Sequence, residues 1–390
     1  MTVAIAGCGP AGLATALLLR RDGHDVTLFE RFDAPRPLGS GLMIQPVGLA
    51  VLHAMGLGET LLAQGARIDR LHGCAGRRTV LDVRYAALGP DAFGIGVHRA
   101  TLFEILHGAV VTAGIRIETG RNVTRAAMAS DGRRLLFQDG STAGPFDLLV
   151  DALGVRSVLT PPTTRALTYG ALWASLPLPA GLDAHALQQR YVGAHTMVGV
   201  LPIGRLSGQA QEQAAFFWSI RGDRLPKWRV SGLAPWKAQV SSLWPEAQPL
   251  LDAIHDPAQL THASYAHRTL DSPAEEALIH IGDSWHATSP QLGQGANMAL
   301  LDAWALAKAL REQQSLADAL AAAVAMRTRH VRRYQMMSRW LTPIYQSDSR
   351  LLPLLRDWLV GSLARVWPVP GIQAAMVAGT VGAPLKPLGL

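Results

Sequence analysis

The sequence predicts a mixed α/β fold in which a doubly wound parallel sheet with covering helices is interleaved with a second, antiparallel sheet. Three observations carry that expectation. The chain opens as strand, turn, helix, strand: an apolar run at 3–6, a glycine-rich turn at 7–12, a helical stretch at 13–20 and a second apolar run at 26–30. A strand-turn-helix pattern returns at 278–310. Between them, residues 168–270 alternate short strand-like segments with longer insertions, as an antiparallel sheet carrying helical excursions does.

The remaining elements follow in order. A Pro- and Gly-rich loop at 34–41 leads to a helix at 47–55. Short segments broken by turn residues suggest strands over 71–96. Helix returns at 101–113 and leads into 116–118. Asp-Gly pairs at 131–132 and 139–140 mark a hairpin, and an apolar strand follows at 148–150. Further strands are read at 171–176, 189–192, 196–202 and 214–220. The expected division is 1–70, 97–160 and 271–335 in one domain, 71–96 and 161–270 in the other, and 336–390 as a C-terminal segment. Two domains woven together fit that order better than two in tandem.

Bulk chemistry narrows the class. Of 36 basic residues in the 390, only Lys227, Lys237, Lys308 and Lys386 are lysines, leaving 32 arginines and a net charge of +7. Guanidinium forks suit phosphates and carboxylates. The arginines are scattered without a basic run or interleaved aromatics, so an anionic cofactor or substrate is expected and a nucleic acid is not. Two cysteines, Cys8 and Cys74, build neither a disulfide framework nor a zinc site, and no HExxH or paired His/Cys spacing supports a metal. Cys8 sits inside the glycine turn, where packing explains it better than redox chemistry. No basic leader precedes the first apolar residues, and the apolar stretch 13–19 is too short to span a bilayer. A reducing cytoplasm is the expected location.

The turn Gly7-Cys8-Gly9-Pro10-Ala11-Gly12 satisfies the Rossmann-like dinucleotide fingerprint. Gly7 makes the tight turn, Gly9 lets backbone approach a pyrophosphate, and Gly12 permits close helix–strand packing. The helix start offers unpaired N–H groups and a positive dipole end to phosphate. Glu30 ends the next strand, placed to accept from the two hydroxyls of an adenosine ribose. Pro10, Ala11 and Arg31 adjoin these positions and count as candidate cofactor contacts.

A second motif lies at 282–297, Gly-Asp-Ser-Trp-His-Ala-Thr-Ser-Pro-Gln-Leu-Gly-Gln-Gly-Ala-Asn. With the first, it resembles the FAD-dependent aromatic hydroxylases, the para-hydroxybenzoate-hydroxylase-like (group A) flavoprotein monooxygenases. Asp283 can hold a ribityl hydroxyl just after the strand at 278–281. Gly293 and Gly295 keep side chains away, so backbone N–H groups there, with Ala296, can face the pyrimidine end of a flavin and stabilise its reduced form. Asn297 begins a helix that adds its dipole, and Asp302 extends the match. The resemblance implies that Pro290 lines the ring. His286 has two readings, a structural histidine as in family members or a general base.

A third family motif is altered. In 148–157, Gly154 and Ser157 match, but Leu153 stands where a central aspartate is usual. Asp151, two positions earlier, is the candidate replacement, as in reductase and halogenase relatives, and NAD(P)H engagement is the step this departure touches. Arg99 matches a family arginine that lies near the flavin; a solvent-facing first-turn arginine is the alternative. The loop 36–44, including Gly41 and Leu42, resembles the glycine segment beside the ring, which in the family lets the ring move between two positions.

Trp173, Tyr191, Met197, Phe217 and Trp218 fall on expected strands of the sheet that would roof the flavin. They suit a flat apolar substrate, and ordinary sheet core explains each equally well. Arg221 and His195 are candidate polar anchors. The tail 341–390 resembles the C-terminal helical region of ubiquinone-pathway and related hydroxylases; packing on the FAD domain and peripheral membrane contact are its two readings. The resemblance implies a Rossmann-like FAD domain, an antiparallel β-sheet substrate domain, and reduction of FAD by NAD(P)H. It further implies reaction with O2 to a C4a-hydroperoxide and hydroxylation of an apolar aromatic or polycyclic molecule. A halogenase, a prenyl or quinone reductase, or a non-catalytic flavin-binding protein are the alternatives. Against the halogenase, 217–221 lacks the Trp-x-Trp-x-Ile-Pro segment.

Overall fold

The computed structural model describes residues 1–34, 40–162, 164–206, 208–363 and 366–390. Its framework is a six-stranded sheet in the order Ala274–Glu275, Leu278–His280, Leu148–Asp151, Thr2–Ala6, Asp25–Phe29, Arg116–Glu118. Every neighbouring pair is parallel except the outermost, Ala274–Glu275 with Leu278–His280. Val3, Ile5, Leu148 and Val150 are fully enclosed, as central strands covered on both faces require. The helices Pro10–Arg21, Arg99–Thr112 and Gly295–Glu312 share one core with Val3, Ile5 and Val150 through Leu13, Leu106, Leu300 and Leu306. Each such side chain contributes roughly 1.5–3 kcal/mol relative to exposure. A small antiparallel sheet of Val123–Ala129, Gly132–Phe137 and Thr142–Phe146 covers the opposite face, with both Asp-Gly pairs at its turns.

The second layer is a seven-stranded sheet: Thr261–His267, Arg165–Pro177, Glu212–Arg221, Thr196–Arg205, Ala186–Val192, Arg70–Ala75, Arg78–Arg84. It is antiparallel except where Ala186–Val192 lies parallel to Arg70–Ala75. That hairpin arrives from a distant stretch of chain, so no tight turn dictates its direction.

Gly94–His98, whose first three residues were expected with this sheet, pairs instead with Gly41–Ile44 and Ala66–Ile68 in a three-stranded sheet beneath it. Glycines make that placement possible. A Cβ on Gly96 would lie 1.9 Å from the Pro202 carbonyl oxygen, and one on Gly41 2.6 Å from the Ala215 methyl. The Gly41 strand is thus pressed against the seven-stranded sheet, which sets the roof of the cleft described below.

The expected boundary at 335/336 falls inside one helix, Leu316–Tyr345. Its enclosed face turns largely polar from Arg327 onward, with Arg327, His330, Gln335, Ser338 and Thr342 buried, so apolar periodicity does not reveal its length. Pro343 lies in the last turn, where a missing N–H disrupts least of the helix. Leu351–Leu363 and Val369–Ala378 complete the C-terminal segment. No helix among the described residues is long and apolar enough to cross a membrane.

Candidate functional site

Strand Thr2–Ala6 delivers the chain into a turn where Gly7 has φ +106° and donates to the Phe29 carbonyl at 2.8 Å. A Cβ on Gly12 would lie 2.0 Å from the Gly7 oxygen, so only glycine lets the helix close on this turn. Gly9, by contrast, has open space where a side chain would be, and it heads the Pro10–Arg21 helix without any side-chain cap. The first-turn amides, around Pro10 and Ala11, keep the dipole's positive end available for phosphate.

Glu30 is almost fully enclosed and spans the turn: Oε2 accepts from Cys8 N at 3.1 Å and Oε1 from Phe32 N at 3.2 Å. A carboxylate retains further lone pairs for ribose hydroxyls. Burial, and then the charge of Glu30, push the Cys8 thiol up to about 12, so it packs as a neutral group. Arg31 is exposed, its guanidinium 4.7 Å from the Phe32 ring centroid.

At the other end of the cleft, strand Leu278–His280 leads to Gly282, whose N–H donates to Asp302 Oδ2 at 2.9 Å. Asp283 keeps its carboxylate exposed, with protein packed close around it. That surrounding raises its pKa, against the lowering charges of His286, Arg99 and Arg268. An added Cβ on Gly295 would stand 3.8 Å from Asp283 Oδ1, so the two face each other. Gly293 is left-handed at φ +60°, and the Gly295–Glu312 helix also starts without a side-chain cap.

Asn297 bolts this turn to the small sheet. Its Nδ2 donates to Gly293 O at 2.9 Å and Met43 O at 3.0 Å, while Oδ1 accepts from Gln45 N at 2.8 Å. Gly41, Leu42 and the Gly293 turn are thereby brought together. Pro290 is exposed and Ala296 half-buried. His286 is buried with Nε2 held 2.6 Å from Asp302 Oδ2, while its Nδ1 has no partner among the described residues. Arg99 begins its helix with an exposed side chain, and its charge acts on both Asp283 and Tyr265. Loop residues 36–39 lie outside the described residues.

Asp151 does not stand in for the aspartate absent at Leu153. It is fully buried, and its two oxygens already take Leu153 N at 3.0 Å, Ser284 Oγ at 3.1 Å, Ser157 Oγ at 2.6 Å and His280 Nδ1 at 2.7 Å. Four internal partners consume its capacity.

The aromatic residues of the large sheet divide by face. Trp173 and Phe217 pair across the strands with ring centroids 4.7 Å apart. Phe217 lies over Gly199, where an added Cβ would be 2.1 Å from its ring. Tyr191 and Met197 join the same cluster. Trp218 points to the other side, into the outer core with Trp236, because successive strand residues alternate. Arg221 is bound to Asp223 at 3.0 Å and to Asp348. His195 Nδ1 contacts Thr196 Oγ1 at 2.9 Å. Tyr265, which no local pattern marks, accepts from Trp173 Nε1 at 2.9 Å, and burial raises its hydroxyl to about 12.

Sequence reading also missed Gln45, whose buried Nε2 has no partner among the described residues and faces Gly293. Open space over Gly9, two uncapped helix starts and this orphaned donor fit an extended dinucleotide carrying a flavin. No group of three or more His, Cys, Asp or Glu side chains among the described residues could hold a metal ion.

Comparison with known proteins agrees with this geometry. Residues 1–157 and 185–338 match the family described as FAD binding domain. The 3-amino-4-hydroxybenzoate 2-monooxygenase of Streptomyces cremeus is 29% identical over 326 residues, spanning 77% of this chain and 76% of its own. A salicylate hydroxylase of Pseudomonas putida is 28% identical over 402 residues, spanning 93% and 87%. The structure of Klebsiella pneumoniae HpxO complexed with FAD and uric acid has a TM-score of 0.81 at 22% identity, covering 98% of each chain, a likeness of fold.

Proposed function

The chain belongs to the FAD binding domain family and is an FAD-dependent monooxygenase, and on that premise we propose that it hydroxylates a flat, electron-rich, largely apolar aromatic molecule. FAD is its cofactor, and NAD(P)H is the reductant typical of the family. Bound and reduced, the flavin supplies the activation of O2 from which one oxygen atom enters the substrate.

The chain's own residues bind, orient and exclude water. The turn holding Gly7, Gly9 and Gly12 would take the pyrophosphate, Glu30 the adenosine ribose, and Asp283 a ribityl hydroxyl. Gly293, Gly295 and Asn297 would cradle the ring beside Pro290. His286, with Nε2 committed to Asp302, would serve as structure.

One observation carries the substrate class. Trp173 and Phe217 form an aromatic layer on the sheet face that also meets the Gly41 strand, two residue pairs along from Ser175–Ala215. Such a slot recognises a flat ring by stacking and excludes water from it. Tyr265, with Arg99's charge beside it, would recognise a polar ring substituent.

A finer reading concerns the C-terminal segment. Met336, Trp340, Leu351, Leu354 and Leu355 are exposed, and exposed Arg332 and Arg339 accompany them, which supports peripheral contact of a cytoplasmic enzyme with an anionic membrane surface. Co-sedimentation with anionic vesicles tests that reading.

The direct test of function is to screen aromatic and quinolone-like compounds for acceleration of NAD(P)H oxidation by the purified flavoprotein, then weigh the product. A gain of one oxygen is expected. A gain of chlorine or of two hydrogens, or no turnover with any ligand, overturns the reading.

A further inference from the structure

Gln45 stands just before the Pro46–Ala54 helix and is 1% exposed. It does not cap that helix with its side chain. Its amide is oriented by one partner, Tyr85, which is fully buried in the Tyr85–Leu88 turn and whose hydroxyl lies 2.5 Å from Gln45 Oε1. Burial raises the Tyr85 pKa, so the hydroxyl keeps its proton, and that proton must find an acceptor. Gln45 Oε1 is the acceptor it has, so Nε2 points the other way.

That direction is toward the ring cradle. Nε2 lies 3.5 Å from the position a Cβ on Gly293 would take, and it has no acceptor among the described residues. Met43 O and Gly293 O accept from Asn297 Nδ2 and not from Gln45. Asn297 Oδ1 is taken by Gln45's own backbone. Leaving a buried amide donor unpaired costs about 1–3 kcal/mol, so an acceptor from outside the chain is the economical explanation. The isoalloxazine ring carries its oxygen and nitrogen acceptors on the pyrimidine side and none on the dimethylbenzene edge.

We propose that Gln45 Nε2 donates a hydrogen bond to an acceptor on the pyrimidine side of the FAD ring, and that Tyr85 is the positioning residue that fixes the amide in the donating orientation. Gln45 therefore selects which end of the ring enters beside Gly293. A donor at this edge interacts more strongly with the electron-rich reduced ring than with the oxidised one. The inference rests on FAD binding and is independent of the substrate.

The test is the two-electron potential of bound FAD in Gln45→Leu/Tyr85→Phe, which removes both polar partners so that neither is orphaned. The reduced-to-oxidised ratio at fixed potential should fall about tenfold, equivalent to about 30 mV more negative. Ligand-free, the double variant should melt no lower than wild type, because an unpaired donor has been removed. Tyr85→Phe alone, which frees the amide to turn over, should shift the potential in the same direction by a smaller amount. It also serves should the double variant fail to fold. An unchanged potential with FAD still bound overturns the proposal, as does a lowered ligand-free melting temperature without any change in potential. A wild-type protein that binds no FAD would instead overturn the cofactor assignment itself.

Discussion

Asp302 accepts a hydrogen bond from His286 Nε2 at 2.6 Å, with both side chains almost completely enclosed. The same oxygen holds Gly282 N, and Oδ1 takes Arg327 Nε at 2.8 Å from the long C-terminal helix. Burial works to raise the Asp302 pKa, but the charges of His286 and Arg327 prevail and hold it at about 2. One carboxylate thus ties the start of the Asp283 segment to a helix 25 residues downstream.

Removing that carboxylate should be costly. Asp302→Ala leaves the Arg327 guanidinium buried without its counter-ion, for an expected loss of about 3–5 kcal/mol. Urea unfolding should show a lower midpoint at an unchanged slope. A loss below about 1 kcal/mol would mean that the interior re-pairs Arg327 on its own.

Acid should destabilise the fold through a buried histidine, His330. His330 Nε2 donates to Gly379 O at 3.0 Å and Nδ1 accepts from Arg327 at 3.1 Å, which is the neutral ring. Burial first, then the Arg327 charge, lower its pKa to about 3. In the unfolded chain the ring takes a proton near 6.5, so the stability it contributes is complete above that value. It is lost progressively as pH falls from about 6.5 toward 3, at up to about 1.4 kcal/mol per pH unit. Melting temperatures between pH 7.5 and 5 should decline, and His330→Gln should flatten that decline. An equal slope in the variant would remove His330 as its source.

Glu30→Gln should weaken FAD rather than the fold. The amide can still accept one backbone hydrogen bond, but it loses the charge that would hold two ribose hydroxyls. The dissociation constant, read from flavin fluorescence quenching, should rise about tenfold or more. An unchanged constant would place the ribose elsewhere.

Trp173→Ala and Trp218→Ala should separate cleanly although both lie on adjacent strands. Trp173→Ala should raise KM for the aromatic substrate or uncouple NAD(P)H oxidation from hydroxylation. Trp218→Ala, in the outer core, should cost about 3–5 kcal/mol of stability and leave KM alone. Equal effects on KM would mean that the two faces are not independent.

The contrast between those tryptophans shows where sequence reasoning stops. Along Glu212–Arg221 nearly every residue is buried, because outer helices cover one face and the cleft layer the other. When both faces are apolar, alternation vanishes, and Phe217 cannot be told from Trp218. The glycine turns were legible because they answer to local backbone geometry: an added Cβ on Gly12 would strike Gly7 O, in the same turn, at 2.0 Å wherever the rest of the chain went. Gln45 and Tyr85 were not, since their partnership joins positions 40 residues apart and no spacing rule predicts it. The length of Leu316–Tyr345 was hidden for a related reason, its buried face turning largely polar from Arg327 onward. Asp151 carried a visible motif position, yet only its four partners reveal that it is already occupied.

The weaving of the chain has a practical consequence. The central strands of the parallel sheet come from 2–6, 148–151 and 278–280, so the polypeptide leaves that sheet and re-enters it repeatedly. The substrate sheet correspondingly takes Arg70–Arg84 from one excursion and Arg165–His267 from another, joined edge to edge along Ala186–Val192. On the proposed reading, specificity is therefore a two-piece graft. A chimaera that exchanges either excursion alone would mate one relative's hairpin with another's sheet and misalign the pocket at that seam, whereas exchanging both together carries the seam intact.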